Sequence, residues 1–157
     1  MKLLMKKNEK GITLTTLVIT IIIILILAGT LTYAGSSIIK SAKLQTINTD
    51  LLLIQAKVKT LEEKANFEGK PELLVGVNIN TNTQLLNSVG ITTVQETDKF
   101  YSISNEEDLN KLGVSVNTNS EYIVNYTDGE VYYVEGYKHT DGKKYYKLSE
   151  ISNLSVD

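Results

Sequence analysis

One histidine, no cysteine and no arginine leave the 157-residue chain few ways to do covalent or acid–base chemistry. His139 stands two residues before Asp141-Gly142, a pair that marks a tight turn. The chain has no nucleophile motif, no glycine-rich phosphate loop and no histidine–carboxylate spacing suited to a metal. Catalysis is therefore not expected, and neither is a cofactor or metal. Glu106, Glu107 and Asp108 form an acidic run. They follow Ser104-Asn105, where carboxylates in a first helical turn favour the helix dipole. Asp128 and Asp141 have a conformational reason to occupy Asp-Gly turns.

Tyrosine is the second residue type able to carry function. Seven of nine tyrosines fall between Tyr122 and Tyr146, around two Thr-Asp-Gly segments at 127–129 and 140–142. Asp-Gly between alternating aromatic-rich runs predicts hairpins. Three antiparallel strands follow, Tyr122 to Tyr126, Glu130 to Gly136 and Lys144 to Leu148, a meander within about 121–148. Adjacent tyrosines point to opposite faces of a strand. Tyr132, Tyr133, Tyr145 and Tyr146 thus divide between an inner face and an outer face. Outer rings would contact a neighbouring subunit or an extracellular partner, or else pair across strands to stabilise a small sheet. Upstream, Thr83 to Val89 closed by Gly90 reads as a short helix. A second runs from a Ser104–Glu107 capping box to Leu112 and Gly113.

A longer helix must support that sheet. Leu44, Ile47, Leu51, Ile54, Val58, Leu61 and Ala65 recur every three or four residues, which lines them along one face. Asn66, Gly69 and Pro71 mark the stop. The face would lie on the chain's own head or, as in a coiled-coil stalk, on another chain. Going toward the N-terminus the pattern changes, because Gly11 to Ile39 contains no charge over 29 residues. That exceeds the roughly 20 residues that cross a bilayer. One helix from about Thr13 to about Ala65 would be roughly 80 Å long, less than half of it in lipid.

Charge sets an orientation. Residues 1–11 hold four lysines against one glutamate; the remainder holds twelve lysines against seventeen acidic residues. A basic start ahead of an apolar run favours a cytoplasmic N-terminus and an outer, acidic remainder. All sixteen basic residues are lysine, so bidentate arginine clamps are missing and nucleic acid is not an expected partner. A cleaved secretory signal ending near Thr32-Tyr33-Ala34 is disfavoured by the length of the apolar run, and an uncleaved anchor fits it better.

A third reading starts from Lys10-Gly11-Ile12-Thr13-Leu14, a glycine between a lysine-rich leader and a long apolar helix. This junction resembles the prepilin leader of the type IV pilin and type II secretion pseudopilin family, most closely the Gly-Ile-Thr-Leu prepilins of clostridia-like Gram-positive bacteria. The resemblance covers about the first third of the chain. It implies that a prepilin peptidase cuts between Gly11 and Ile12 and methylates Ile12. It also implies assembly through Leu14, Thr16, Leu17 and the helix that follows. The family usually carries glutamate five residues after the cut, to pair with a neighbouring subunit's amino terminus; this chain has Thr16. Threonine cannot form that ion pair, and its hydroxyl is expected to bond the carbonyl of Ile12 one turn back. A minor or tip subunit, a filament held by apolar packing alone, or a merely tolerated threonine are the three consequences.

The expected fold is α+β and pilin-like, a long N-terminal helix on a small antiparallel sheet. Its parts are a leader (1–11), a transmembrane and assembly helix (12–39), an amphipathic continuation (40–66) and a head (67–157). The expected function is structural, in a type IV pilus or a secretion or competence pseudopilus. Partners would be the prepilin peptidase, the membrane and other subunits. The alternative is a membrane-anchored extracellular binding module that does not polymerise.

Overall fold

The computed structural model describes residues 14–116 and 119–155. Two compact units divide at Ile39 and Lys40. Helix α1, Leu14–Glu68, contributes residues to both. It contains no proline, and its two glycines, Gly29 and Gly35, lie in the apolar stretch, so nothing in the amphipathic part breaks it. It ends at Gly69, with the Lys70 amide donating to the Ala65 carbonyl at 2.9 Å. Pro71 then opens a 3₁₀ turn, Pro71–Leu73. The sequence expectation of a stop at 66–71 is met, with the helix running three residues past Ala65.

The rest of the second unit is an antiparallel sheet in strand order β1-β2-β3-β4-β5, with short helices between and after the strands. The elements are β1 Val77–Asn78, α2 Thr83–Ser88, β2 Phe100–Ile103, α3 Glu106–Leu112, β3 Tyr122–Asn125, β4 Glu130–Lys138, β5 Lys144–Lys147 and α4 Leu148–Ile151. The three-strand meander is present within one or two residues of its expected bounds. Two further strands, β1 and β2, extend it to five.

Both sheet faces are covered, each by residues that alternate along the strands. On one face Tyr122, Val124, Val131 and Tyr133 join Leu44, Ile47, Leu51, Ile54 and Val58 of α1 in the main core, with Leu61 partly buried against it. Ala65 is buried as well. The three-four spacing thus serves the chain's own head. A stalk that spends this face on another chain is not what forms. The opposite face carries a second cluster in which Ile123, Tyr132 and Phe100 meet Ile79, Leu86, Val89 and Ile91 from the segment around α2.

Two local expectations are corrected. Helix α3 is capped by Asn105, not Ser104: the Asn105 carboxamide oxygen accepts from the Asp108 amide at 2.8 Å and its nitrogen donates to the Asp108 carboxylate at 2.9 Å. A cap at 105 puts Asp108 in the reciprocal position, leaving Glu107 free to bridge Lys111 at 2.8 Å. Further along, Tyr132 and Tyr133 do not form an exposed aromatic surface, because both are buried. The segment between β1 and β2 roofs the face that the sequence leaves open.

Among the described residues no helix is long and apolar enough to cross a membrane. The span expected at 12–39 includes residues 12 and 13 and the side chains of 27–37, which lie outside the described ones.

Candidate functional site

The apolar part of α1 and the outer surface of the head are the two candidates. From Leu17 to Ile26 every large apolar side chain is about half exposed or more, from Val18 at 48% to Leu25 at 66%. Consecutive helical residues turn by about 100°, so a run that is apolar at every position except Thr20 presents apolar surface on all sides. Such a surface is stable only in lipid or against other protein. Its hydroxyl groups do not oppose that. Thr20 Oγ1 donates to the Thr16 carbonyl at 2.7 Å, so the polar group is satisfied within the helix. The same bond to the residue four back recurs at Thr46, Thr49 and Thr60. The junction Gly11–Ile12, the bond from Thr16 to Ile12 and the side chain of Leu14 lie outside the described residues; Thr16 and Leu17 are exposed.

In the head, the tyrosines are structural anchors. Tyr122 pairs directly across from Tyr133, with ring centroids 6.1 Å apart. Tyr132 meets Phe100 edge-on at 6.4 Å. Tyr126, fully buried, accepts from the Val75 amide at 3.0 Å and donates to the Val75 carbonyl at 3.1 Å, which ties the segment after the 3₁₀ turn to the sheet. Burial pushes the Tyr126 phenol up to about 12, and pushes those of Tyr122 and Tyr132 up further. Tyr145 and Tyr146 remain partly exposed.

The turn between β4 and β5 brings His139, Asp141 and Tyr145 together. His139 Nδ1 lies 3.4 Å from Asp141 Oδ1, and the Tyr145 hydroxyl donates to Asp141 Oδ2 at 2.7 Å. That hydroxyl bond is the main cause holding the Asp141 carboxyl below its ordinary value, and the same bond raises the Tyr145 phenol. His139 Nε2 is 2.8 Å from the Ser155 carbonyl. The group fastens the C-terminal segment to the hairpin, and it holds no serine or other nucleophile positioned by the imidazole. Asp128 and Asp141 each accept from the amide two residues on, at 2.9 and 2.8 Å, the bond that gives aspartate its place in such turns. Among the described residues no group of three or more histidines and carboxylates is arranged to hold a metal ion.

Sequence reasoning missed the network that seats the second layer. Asn80 Oδ1 accepts from the Phe100 amide at 2.7 Å, Asp98 Oδ1 accepts from Asn125 Nδ2 at 3.2 Å, and Thr127 Oγ1 donates to the Thr97 carbonyl at 2.6 Å. Only the density of Asn and Thr between 78 and 83 hints at it, and that composition reads as ordinary loop. Scans against protein-family models, curated proteins and solved structures find no match to this chain.

Proposed function

We propose that the chain is the precursor of a type IV pilin-like structural subunit, cut between Gly11 and Ile12, held in a membrane and then assembled through α1 into a pilus or pseudopilus. The observation that carries this reading is the two-part character of α1. Its apolar surface from Leu17 to Ile26 is exposed on all sides, while from Leu44 to Val58 its apolar face is taken up by the head. A subunit that moves from lipid into a filament needs that division, because the first part must find apolar surroundings outside its own chain in both settings. The lysine-rich leader and Gly11 supply the orientation and the cut, and the five-stranded α+β head is compatible with the pilin-like form of the fold. Thr16 takes the place of the usual ion pair with a hydroxyl, so subunit addition rests on apolar contact through residues such as Leu14 and Leu17.

Replacing Gly11 with phenylalanine in the native host tests the reading. The expected result is an unprocessed precursor, a head with unchanged protease resistance, and no incorporation into surface filaments. Filaments that form and contain the uncut variant would contradict it.

A further inference from the structure

Lys40 is the first charged residue after the uncharged run that ends at Ile39. Ile38 and Ile39 are 66% and 70% exposed, so an apolar helix surface gives way to a cation within one residue. The tip between β4 and β5 returns to that point. Tyr137 is buried, with its hydroxyl 3.5 Å from the Lys40 carbonyl, and Lys40, Lys138, His139 and Thr140 line one open pocket.

That tip is basic. Lys138, Lys143 and Lys144 are exposed, and Lys138 stands directly opposite Lys144 in the β4–β5 register, where like charges repel and weaken the pairing. Among the described residues none of Lys40, Lys138, Lys143 and Lys144 forms an ion pair; Lys144 lies over the Tyr146 ring, 5.5 Å from its centroid. The turn's one carboxylate, Asp141, is engaged within it: Oδ1 accepts from the Lys143 amide at 2.8 Å and Oδ2 from the Tyr145 hydroxyl at 2.7 Å. Glu135, the nearest acid along β4, accepts from the Glu121 amide at 3.4 Å instead. Four lysines against one carboxylate reverse the balance of the chain beyond residue 11, where seventeen acids face twelve lysines. Lysine ammonium groups are hydrated point charges on flexible stems, which suit a fluid array of headgroup phosphates. With the run up to Ile39 in lipid, chain connectivity keeps Lys40 at headgroup level, so the tip meets those phosphates at high effective concentration.

We propose that the β4–β5 tip, together with Lys40, docks on anionic lipid headgroups at the outer face of the membrane and holds the head there before assembly. This docking rests on the membrane stage of the function proposed above.

The chain has no cysteine, so a fluorophore can be placed at Thr140→Cys in the full-length protein. Glu72→Cys, beyond the far end of α1 and roughly 40 Å along the helix from Lys40, is the control. Each labelled chain is inserted in nanodiscs of phosphatidylcholine with or without phosphatidylglycerol, all carrying a quencher on the headgroups. Quenching at Thr140→Cys is expected to rise with phosphatidylglycerol and to fall with added salt, while the Glu72→Cys label stays unquenched. Adding Lys138→Gln and Lys143→Gln should lower the ratio of docked to undocked head about tenfold or more, with unchanged thermal unfolding. Co-elution with discs of phosphatidylcholine alone reads insertion separately: a chain that does not enter them contradicts the membrane stage, and the docking with it. A chain that enters but is quenched equally in both lipids, or equally at both positions, overturns the docking alone; lysines that only guard the open edge of β5 would give that result. Energy transfer between heads without quenching by lipid would put a second copy on the tip and overturns it as well.

Discussion

Tyr126 shows how one side chain can hold two layers. Its hydroxyl satisfies both backbone groups of Val75 inside the core, so Tyr126→Phe leaves a buried donor and acceptor without partners. The expected cost is about 1–3 kcal/mol of unfolding free energy, read from denaturant midpoints at unchanged slope. The raised phenols also fix a pH dependence. Tyrosine ordinarily ionises at 10.0, and the folded head holds Tyr126 neutral to about 12. Between those values the unfolded chain loses protons that the folded head keeps, so stability is full below pH 10 and is lost as pH rises toward 12. A tyrosinate absorbance titration is expected to show Tyr122, Tyr126 and Tyr132 ionising together with unfolding. The sequence made the concentration of tyrosine plain. It did not reveal that Tyr132 is buried, because that depends on a roof contributed by residues 79–91, far upstream.

At the scale of elements, the face of α1 is the clearest test of packing. Ile54 is fully buried, whereas Leu52, two residues earlier, is 48% exposed. Ile54→Ala is expected to cost about 2–5 kcal/mol in thermal or chemical unfolding, and Leu52→Ala no more than about 0.5 kcal/mol. Equal effects at the two positions would contradict the assigned face. The pair β1 and β2 depends on close backbone approach at Gly76, where φ is 102° and an added Cβ would lie 2.6 Å from the Ser102 carbonyl oxygen. Gly76→Ala should therefore displace β1 from the sheet edge and destabilise the head by more than about 1 kcal/mol, with amide exchange rising first at Val77 and Asn78. Helical spacing and Asp-Gly turns are repeated local signals, and they made α1 and the meander legible. A two-residue strand and the four-residue Phe-Tyr-Ser-Ile strand carry too little periodicity to be read, since their partners lie far along the chain.

For the whole molecule, the proposed function rests on how the apolar helix residues are satisfied once the head has used its own share. The candidate assembly segment was legible in the sequence as an uncharged run, and the structure adds that Leu17 to Ile26 face outward on every side. The polar network that seats the second layer was not legible, because Asn80, Asp98 and Asn125 come from separate parts of the chain and meet only after the sheet forms. Replacing Thr16 with glutamate asks whether the missing ion pair matters: faster or more complete incorporation into filaments is expected, measured as the ratio of filament-bound to membrane-bound subunit. The most direct measurement is the intact mass and N-terminal sequence of the protein isolated from the cell that makes it, with prepilin peptidase present. A chain beginning at Ile12, with or without a methyl group, is expected; a chain still beginning at Met1 would contradict the proposed role as a processed filament subunit.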